Sequence, residues 1–303
     1  MRDAGLFRDR IALITGGAGG IGRALGEVLV ARGARVVLAD LDLDRADAAA
    51  RAISTAHAAG RGRAASATTP PARALSLDVT DAAQVARAVD DVEATEGPLD
   101  YLFNNAGIAI VGEMQDTDLD DWQRMLAVNL RGVIHGVYAA YPRMVTRGAG
   151  HIVNTACVGG LIPTPLSTAY AATKHGVIGL STSLRCEGAA HGVRVSVICP
   201  GPVATEMFAS IETRGIDKDA MLARIPAGFL APERCARAIL RGLRRNRAII
   251  PVTGYSHLSW WLYRLSPRAY LALLGALHRR VRPALQALRP TAATRPPTDD
   301  ASA

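Results

Sequence analysis

Short apolar runs alternate with amphipathic stretches along most of this chain. About seven runs rich in Val, Ile, Leu and Ala have the length and composition of buried strands. They span residues 10–15, 35–40, 74–78, 99–104, 151–156, 193–199 and 248–252. Helical periodicity is found at residues 23–32, 43–53, 81–95, 118–147, after Ser167, at 205–224 and at 232–245. Strands that alternate with helices in this way predict an α/β fold, a doubly wound parallel sheet covered on both faces.

Three segments depart from this alternation. Residues 54–73 consist mainly of Ala, Gly, Arg, Ser, Thr and Pro without apolar periodicity, which predicts a flexible surface insertion. Residues 255–289 mix Trp, Tyr and Leu with arginines and predict an amphipathic helical extension, whereas residues 290–303 are polar and predict a disordered tail. We therefore expect one domain over residues 1–254, followed by this extension.

Composition narrows the classes of function. The chain has 303 residues and a net charge of +8, but no nucleic-acid-binding motif accompanies the charge, so no nucleic-acid partner is predicted. The charged N-terminus lacks a signal-peptide pattern, and no stretch reaches the about 20 apolar residues that span a bilayer, so we expect a cytoplasmic protein. The four cysteines lack CxxC spacing, which indicates reduced thiols rather than a metal site or disulfides.

A glycine cluster follows the first predicted strand and precedes the first helix. Gly16, Gly20 and Gly22 would let backbone N–H groups approach a pyrophosphate at the helix N-terminus. Asp40 ends the second strand, where a carboxylate can bond a ribose 2′-hydroxyl and repel a 2′-phosphate, so NAD is preferred over NADP. Each feature also has a plainer interpretation, since any tight turn can use glycine and Asp40 can be a polar strand end.

Tyr170 and Lys174 lie four residues apart in an Ala-rich stretch that Ser167 or Thr168 can cap. A helix places both side chains on one face. A nearby ammonium and the helix N-terminus favour the ionised phenol, so Tyr170 could exchange a proton with a substrate oxygen. The two residues could also share the face by chance, but Lys174 and Lys218 are the only lysines in an arginine-rich chain.

These motifs together resemble the short-chain dehydrogenases/reductases over about residues 6–252. The resemblance is carried by Thr15-Gly16 with Gly20 and Gly22, Asp78-Val79, Asn104-Asn105-Ala106-Gly107, Asn129 within VNLRG, Tyr170 with Lys174, and Pro200-Gly201 followed by Thr205. It implies a single Rossmann-type domain that binds NAD. It also implies a homodimer or homotetramer packed through the helices near residues 118–147 and 168–190.

The resemblance implies a role for each matching residue. The glycine turn with Ile21 holds the cofactor, Asp78 and Val79 flank the adenine, residues 105–107 (Asn105, Ala106 and Gly107) line the cleft, and Val203 with Thr205 approaches the nicotinamide amide. Tyr170 is then the general acid in reduction and the general base in oxidation. Lys174 lowers the pKa of Tyr170 and holds the nicotinamide ribose, while Asn129 kinks the long helix and supports a proton-relay water.

The chain departs from this family at one catalytic position. A serine is expected thirteen residues before the tyrosine, and Cys157 stands there instead. A thiol is a weaker hydrogen-bond donor than a hydroxyl, and losing an oxyanion donor can cost on the order of a hundredfold in rate. Three explanations follow: another donor such as Thr155, Ser167 or a water compensates; the substrate needs less help; or the protein catalyses little, or uses Cys157 as a nucleophile or redox sensor.

The sequence as a whole predicts an NAD(H)-dependent oxidoreductase that acts on a secondary alcohol or ketone. Apolar Met207, Phe208, Met221 and Phe229 favour a hydrophobic substrate, although they could be core residues. The alternative is a non-catalytic or weakly catalytic NAD-binding regulatory or scaffold protein. The C-terminal extension could cover the substrate cleft, pack on another subunit or lie on an anionic membrane surface.

Overall fold

The computed structural model describes residues 5–61, 70–223 and 228–286. Its central sheet has seven parallel strands, as the alternating pattern predicts. These strands are β1 (Ile11–Thr15), β2 (Arg35–Asp40), β3 (Ala72–Ser76), β4 (Tyr101–Asn104), β6 (Gly150–Thr155), β7 (Val193–Cys199) and β9 (Ile249–Pro251). Two further strands, β5 (Ile110–Gly112) and β8 (Glu212–Arg214), pair with each other outside this sheet. The order β3-β2-β1-β4-β6-β7-β9 reverses between β1 and β4, where doubly wound sheets bind ligands.

Helices cover both faces of the sheet and continue beyond its last strand. Their bounds are α1 (Gly20–Val30), α2 (Leu43–Arg61), α3 (Ala82–Thr95), α4 (Leu119–Leu126), α5 (Gly132–Arg147), α6 (Thr168–Ala189), α7 (Glu206–Ser210), α8 (Lys218–Leu222), α9 (Pro232–Arg244), α10 (Gly254–Leu265) and α11 (Pro267–Gln286). Among the residues that the structure describes, no helix combines the length and apolarity needed to span a bilayer.

The core lies on both sides of the sheet because successive strand residues point to opposite faces. In β1, Ala12 and Ile14 pack with α1, α2 and α9, whereas Leu13 packs with α3, α5 and α6. A strand buried on both faces needs apolar residues at nearly every position. This requirement explains why the strands appear as continuous apolar runs. The doubly wound fold class and its C-terminal helical extension are confirmed.

The predicted insertion at residues 54–73 is wrong at both ends. Helix α2 continues to Arg61, eight residues past its predicted end, and β3 begins at Ala72, where it pairs with Val36 of β2. Alanine and arginine have high intrinsic helix propensity even when apolar residues are not periodic, so the periodicity criterion ended the helix too early. Residues 62–69, and the predicted tail at 290–303, lie outside the described residues.

Two other helical predictions need correction. The region 118–147 forms two helices, α4 and α5, joined by a π-helical turn at Ala127–Arg131. The region 205–224 contains β8 between two short helices rather than one helix. The strand β8 is polar and three residues long, so it depends on pairing with the distant β5 rather than on a local pattern. We refer to residues 206–222 as the lid.

Candidate active site

A cavity of about 400 Å³ opens at the C-terminal ends of the central strands. Nearly all predicted site residues line it. These are Gly16, Gly20, Ile21, Asp40, Asp78, Val79, Asn105, Ala106, Gly107, Cys157, Tyr170, Lys174, Val203 and Thr205. Of the predicted set, Gly22 and Asn129 do not line the cavity, and their contacts place them in its supporting wall.

The glycine turn has backbone geometry that other residues would strain. Gly16 and Gly20 have φ values of +64° and +53°, in the left-handed region. A Cβ on Gly22 would overlap the carbonyl oxygen of Gly16, and one on Gly16 would lie 2.9 Å from the Ala106 Cα. Helix α1 begins here without a side-chain cap, so its first N–H groups have no capping acceptor. This turn fits a pyrophosphate at a helix N-terminus.

Asp40 closes the glycine turn while facing the cavity. Its carboxylate accepts hydrogen bonds from the backbone N–H of Ala18 at 3.0 Å and of Asp42 at 3.3 Å. Asp78, at the end of the next strand region, accepts from the backbone N–H and the hydroxyl of Thr80, both at 2.8 Å. Local hydrogen bonds therefore fix both carboxylates at the edge of the cavity.

Asn105 ties two strand ends together beneath the cavity. Its backbone N–H donates to the Thr15 hydroxyl at 2.9 Å, and its side-chain amide donates to the Thr15 carbonyl at 3.1 Å. Its side-chain oxygen accepts from the Thr155 hydroxyl at 3.3 Å. The side chain of Asn105 thus braces β1 against β6, and the Thr155 hydroxyl already has an acceptor.

Asn129 is fully buried in the π-helical turn. Its amide exchanges two hydrogen bonds with the backbone of Ile108, accepting from the N–H and donating to the carbonyl, both at 2.9 Å. It also donates to the Thr173 hydroxyl at 3.4 Å. A Cβ on Gly107 would lie 3.0 Å from the Asn129 oxygen and 3.4 Å from Lys174 Nζ. Asn129 therefore holds the segment after β4 against α6.

Lys174 is buried beneath Tyr170. Its side chain is 2% exposed, and Nζ donates to the Thr155 carbonyl at 3.0 Å. Nζ lies 5.5 Å from the centroid of the Tyr170 ring. Burial lowers the pKa of Lys174 to about 8, because the charged ammonium loses hydration. The helix starts at Thr168, and Ser167 takes the cap position without a capping side-chain bond.

The Tyr170 hydroxyl faces the Cys157 thiol. Burial raises the pKa of Tyr170 well above its usual value, and a hydrogen bond with Cys157 raises it further. This direction is opposite to the predicted lowering by Lys174. A buried phenolate loses its hydration, and this cost outweighs the attraction of the Lys174 ammonium. That ammonium lies against the ring and donates to the Thr155 carbonyl. Tyr170 therefore carries its proton at neutral pH.

Cys157 occupies the position that the sequence singled out. It follows β6 in an extended conformation and precedes the 3-10 turn Val158–Gly160. Of the two side chains considered as substitute donors, Thr155 lines the cavity and Ser167 does not. The Thr155 hydroxyl already donates to Asn105, whereas the Cys157 thiol and the Tyr170 hydroxyl share a hydrogen bond with each other.

The sequence missed the ion pair that crosses the cavity mouth. Arg45 of α2 bonds to Glu206 of the lid, and both residues line the cavity. A Cβ on Gly19 would lie 2.9 Å from a Glu206 oxygen, so the pair sits directly over the glycine turn. The partners are 161 residues apart, and no local pattern could have linked them.

The apolar residues of the lid line the cavity or pack in a separate small cluster, and Phe208 does both. Met207 and Phe208 line the cavity, and Phe208 stacks edge-on against Phe229 with ring centroids 4.7 Å apart. Met221 packs in a small apolar cluster with Ile211 and other lid residues. The predicted apolar wall of the substrate site therefore consists of Met207 and Phe208, and Met221 belongs to a satellite core.

Comparisons with known proteins agree with this architecture. The family model described as short chain dehydrogenase matches residues 10–215. The chain is 35% identical over 249 residues to 2-(S)-hydroxypropyl-CoM dehydrogenase 3 of Xanthobacter autotrophicus, covering 80% of this chain and 93% of that protein. It is 38% identical over 204 residues to trans-4-hydroxycyclohexanecarboxylate dehydrogenase of Sinomonas cyclohexanicum, covering 67% and 76% respectively.

A solved structure extends the likeness to the whole chain. It is a short chain dehydrogenase/reductase from Burkholderia phymatum in complex with NAD, with a TM-score of 0.73 and 26% sequence identity. The match covers 100% of both chains. The C-terminal helices thus fall within the part of the chain that this structure resembles.

Proposed function

Because this chain belongs to the short chain dehydrogenase family, we propose that Tyr170, Lys174 and Cys157 handle the proton in a hydride transfer between NAD(H) and a secondary alcohol or ketone. The chain is an NAD(H)-dependent oxidoreductase of CH–OH groups, as the family match and relatives at 35% and 38% identity support. One observation carries the residue assignment: the Tyr170 hydroxyl and the glycine turn face the same cavity. A non-catalytic role is not favoured.

The residues of the cavity fit a dinucleotide. The turn around Gly16 and Gly20 would hold the pyrophosphate, Asp40 the adenosine ribose, and Lys174 the nicotinamide ribose. When bound, the nicotinamide ring donates or accepts the hydride. Asp40 would also repel a 2′-phosphate, which supports a preference for NAD over NADP.

The protein's own contribution is to supply and remove a proton at the substrate oxygen. In reduction, the protonated Tyr170 hydroxyl donates to that oxygen as negative charge develops on it. The raised pKa of Tyr170 keeps this proton in place at neutral pH. In oxidation the phenol must first lose the proton, and the Lys174 ammonium beneath the ring stabilises the resulting phenolate. Cys157 offers a weak second donor to the same oxygen.

The apolar lid residues that line the cavity support an apolar substrate. Met207 and Phe208 supply the apolar surface of the lid, and neither is charged. A secondary alcohol or ketone with a hydrophobic substituent would place its oxygen at Tyr170 and its substituent against the lid.

We also propose that the protein works in the cytoplasm as a homodimer or homotetramer and that its C-terminal helices contact membranes. All four cysteines are free, which fits a reducing compartment. Tyr138 and Ile134 of α5 are exposed at 82% and 40%, and they offer an apolar surface for subunit contact.

The test compares three variants on a panel of apolar ketones with NADH. Tyr170→Phe removes the proton donor, so turnover should fall by at least about a hundredfold while NADH still raises the melting temperature. Cys157→Ser supplies a stronger donor, so kcat should rise by about tenfold or more. Cys186→Ser changes an exposed thiol outside the cavity and should leave both readouts unchanged.

Two results would contradict the proposal. If Tyr170→Phe kept full turnover, Tyr170 would not be the proton donor. If NADH bound but neither the wild-type protein nor Cys157→Ser reduced any ketone or oxidised any alcohol, the non-catalytic alternative would be preferred. An unchanged rate in Cys157→Ser alone would show that the thiol does not limit catalysis.

A further inference from the structure

Helix α10 presents an apolar stripe to solvent. The stripe consists of Tyr255, Leu258, Trp261, Leu262 and Leu265, which are all at least 40% exposed. The opposite side of the helix holds Ser256 and Ser259, exposed at only 0% and 7%. A helix that packs on a domain normally buries its apolar face and exposes its polar face. The α10 stripe reverses this arrangement, so its apolar residues need a partner outside the domain.

The orientation of α10 is fixed by contacts to the domain. The Thr253 hydroxyl caps the helix by accepting from the Ser256 backbone N–H at 3.0 Å, and the two hydroxyls are 2.8 Å apart. Trp260 and Tyr263 pack against the sheet core, and Tyr263 meets Tyr270 of α11 with ring centroids 5.5 Å apart. Rotating the stripe inward would break these contacts. The outward stripe is therefore built into the fold.

The surface around the stripe is positively charged. Residues 254–286 contain no Asp or Glu and five arginines, which are Arg264, Arg268, Arg279, Arg280 and Arg282. Arg264 lies 5.2 Å from the Trp260 ring, which keeps its charge beside the stripe. Three more leucines of α11, Leu271, Leu273 and Leu277, are 50% to 69% exposed. The C-terminal helices thus combine an apolar surface with arginines and carry no acidic residue of their own, although Arg282 pairs with Glu113 of the domain.

We infer that the α10 stripe and the arginines of α11 dock on an anionic bilayer surface. Apolar side chains enter the boundary between headgroups and acyl chains, and arginines attract the anionic headgroups. A second copy of the chain fits less well. A two-fold contact sets the same surface of both copies face to face. Arginines would then lie near arginines, because α10 and α11 of neither copy carry an acidic residue.

Docking would bring the lid close to the membrane. Val281 of α11 packs in the apolar cluster that contains Ile211 and Ile216 of the lid. Arg282 donates to Glu113, just after β5, at 2.7 Å. A hydrophobic alcohol dissolved in the bilayer would then meet the protein next to its substrate entrance. This last step rests on the proposed function, whereas docking itself does not depend on catalysis.

The experiment is flotation of the full chain with phosphatidylcholine vesicles that contain or lack phosphatidylglycerol. The wild-type protein should float with the anionic vesicles only. The variant Leu258→Ser/Trp261→Ser/Leu265→Ser should bind them at least about tenfold more weakly. Arg279→Gln/Arg280→Gln should weaken binding by about 25-fold, or about fivefold for each arginine. Leu119→Ser removes a 75% exposed leucine from α4 and should bind like the wild type.

Two further readouts separate docking from catalysis and from folding. A thermal shift with NADH checks that each variant is folded, and ketone reduction without vesicles reports the chemistry independently of docking. Failure of the wild-type protein to float with anionic vesicles would overturn the inference, as would equal flotation of the triple serine variant. If that variant instead lost oligomeric mass in solution while its vesicle binding persisted, the stripe would be an interface between copies.

Discussion

The buried charge of Lys174 leads to a prediction about the pH dependence of stability. Burial lowers the pKa of Lys174 from 10.5 to about 8, while the unfolded chain restores the ordinary value. At about 1.4 kcal/mol per pKa unit, this interval corresponds to about 3 kcal/mol. Lys174→Met keeps an unbranched side chain of similar size and removes the titrating group, so it is the matched reference.

The sign follows from where each state holds the proton. Below pH 8, Lys174 is protonated in both states, so the difference in unfolding free energy between wild type and Lys174→Met stays constant. Between about pH 8 and pH 10.5 the unfolded wild-type chain binds a proton that the folded protein has released. The wild type should therefore gain up to about 3 kcal/mol relative to Lys174→Met as pH rises through this window.

This difference is measured by urea unfolding, monitored by tryptophan fluorescence, at several pH values from 7 to about 10.5. Groups that titrate equally in both proteins cancel, so the comparison isolates Lys174. A difference that stays flat or falls across the window would refute the reasoning, because it would mean that the folded protein does not disfavour the ammonium. Lys174→Met should also lose most of its oxidoreductase turnover at every pH.

The remaining predictions concern the glycine turn, the lid and the choice of cofactor. Gly22→Ala should abolish the thermal shift with NADH, whereas Gly179→Ala, whose Cβ would meet nothing within 4 Å, should keep it and add up to about 1 kcal/mol of stability. Arg214→Ala should lower the unfolding free energy in urea by about 3 kcal/mol, because buried Asp121 loses its two bonds of 2.7 and 2.9 Å. Asp40→Ala should shift the ratio of kcat/KM for NADP over NAD upward by about tenfold or more; an unchanged ratio would remove Asp40 from cofactor selection.

The parts of the site that the sequence predicted are those encoded by spacing. Gly16, Gly20 and Asp40 were found because a glycine turn and a strand-end carboxylate occupy fixed places in a strand-turn-helix unit. Tyr170 and Lys174 were found because residues four apart share a helical face. Cys157 was singled out by the resemblance, which implies a serine thirteen residues before the tyrosine. The structure brings all six residues to one cavity.

The protonation states could not be predicted in the same way. An ammonium four residues from a phenol suggests a lowered pKa for Tyr170, but the structure raises it because the hydroxyl is buried and faces Cys157. Desolvation depends on every element that covers the group, and these elements come from distant parts of the chain. The Arg45–Glu206 pair and the β5–β8 pairing escaped prediction for the same reason.

The sequence alone determined the alternation of strands and helices, the glycine turn and the Tyr–Lys spacing, because backbone periodicity and local sterics act over a few residues. Only the tertiary structure decided which side chains share the cavity. It also decided which ionisable groups are buried, and burial disfavours their charged forms. It also decided that α10 turns its serines inward and its leucines outward, although both faces were visible in the sequence. Which face of a helix is buried depends on the surface it meets, and that surface exists only after the chain has folded.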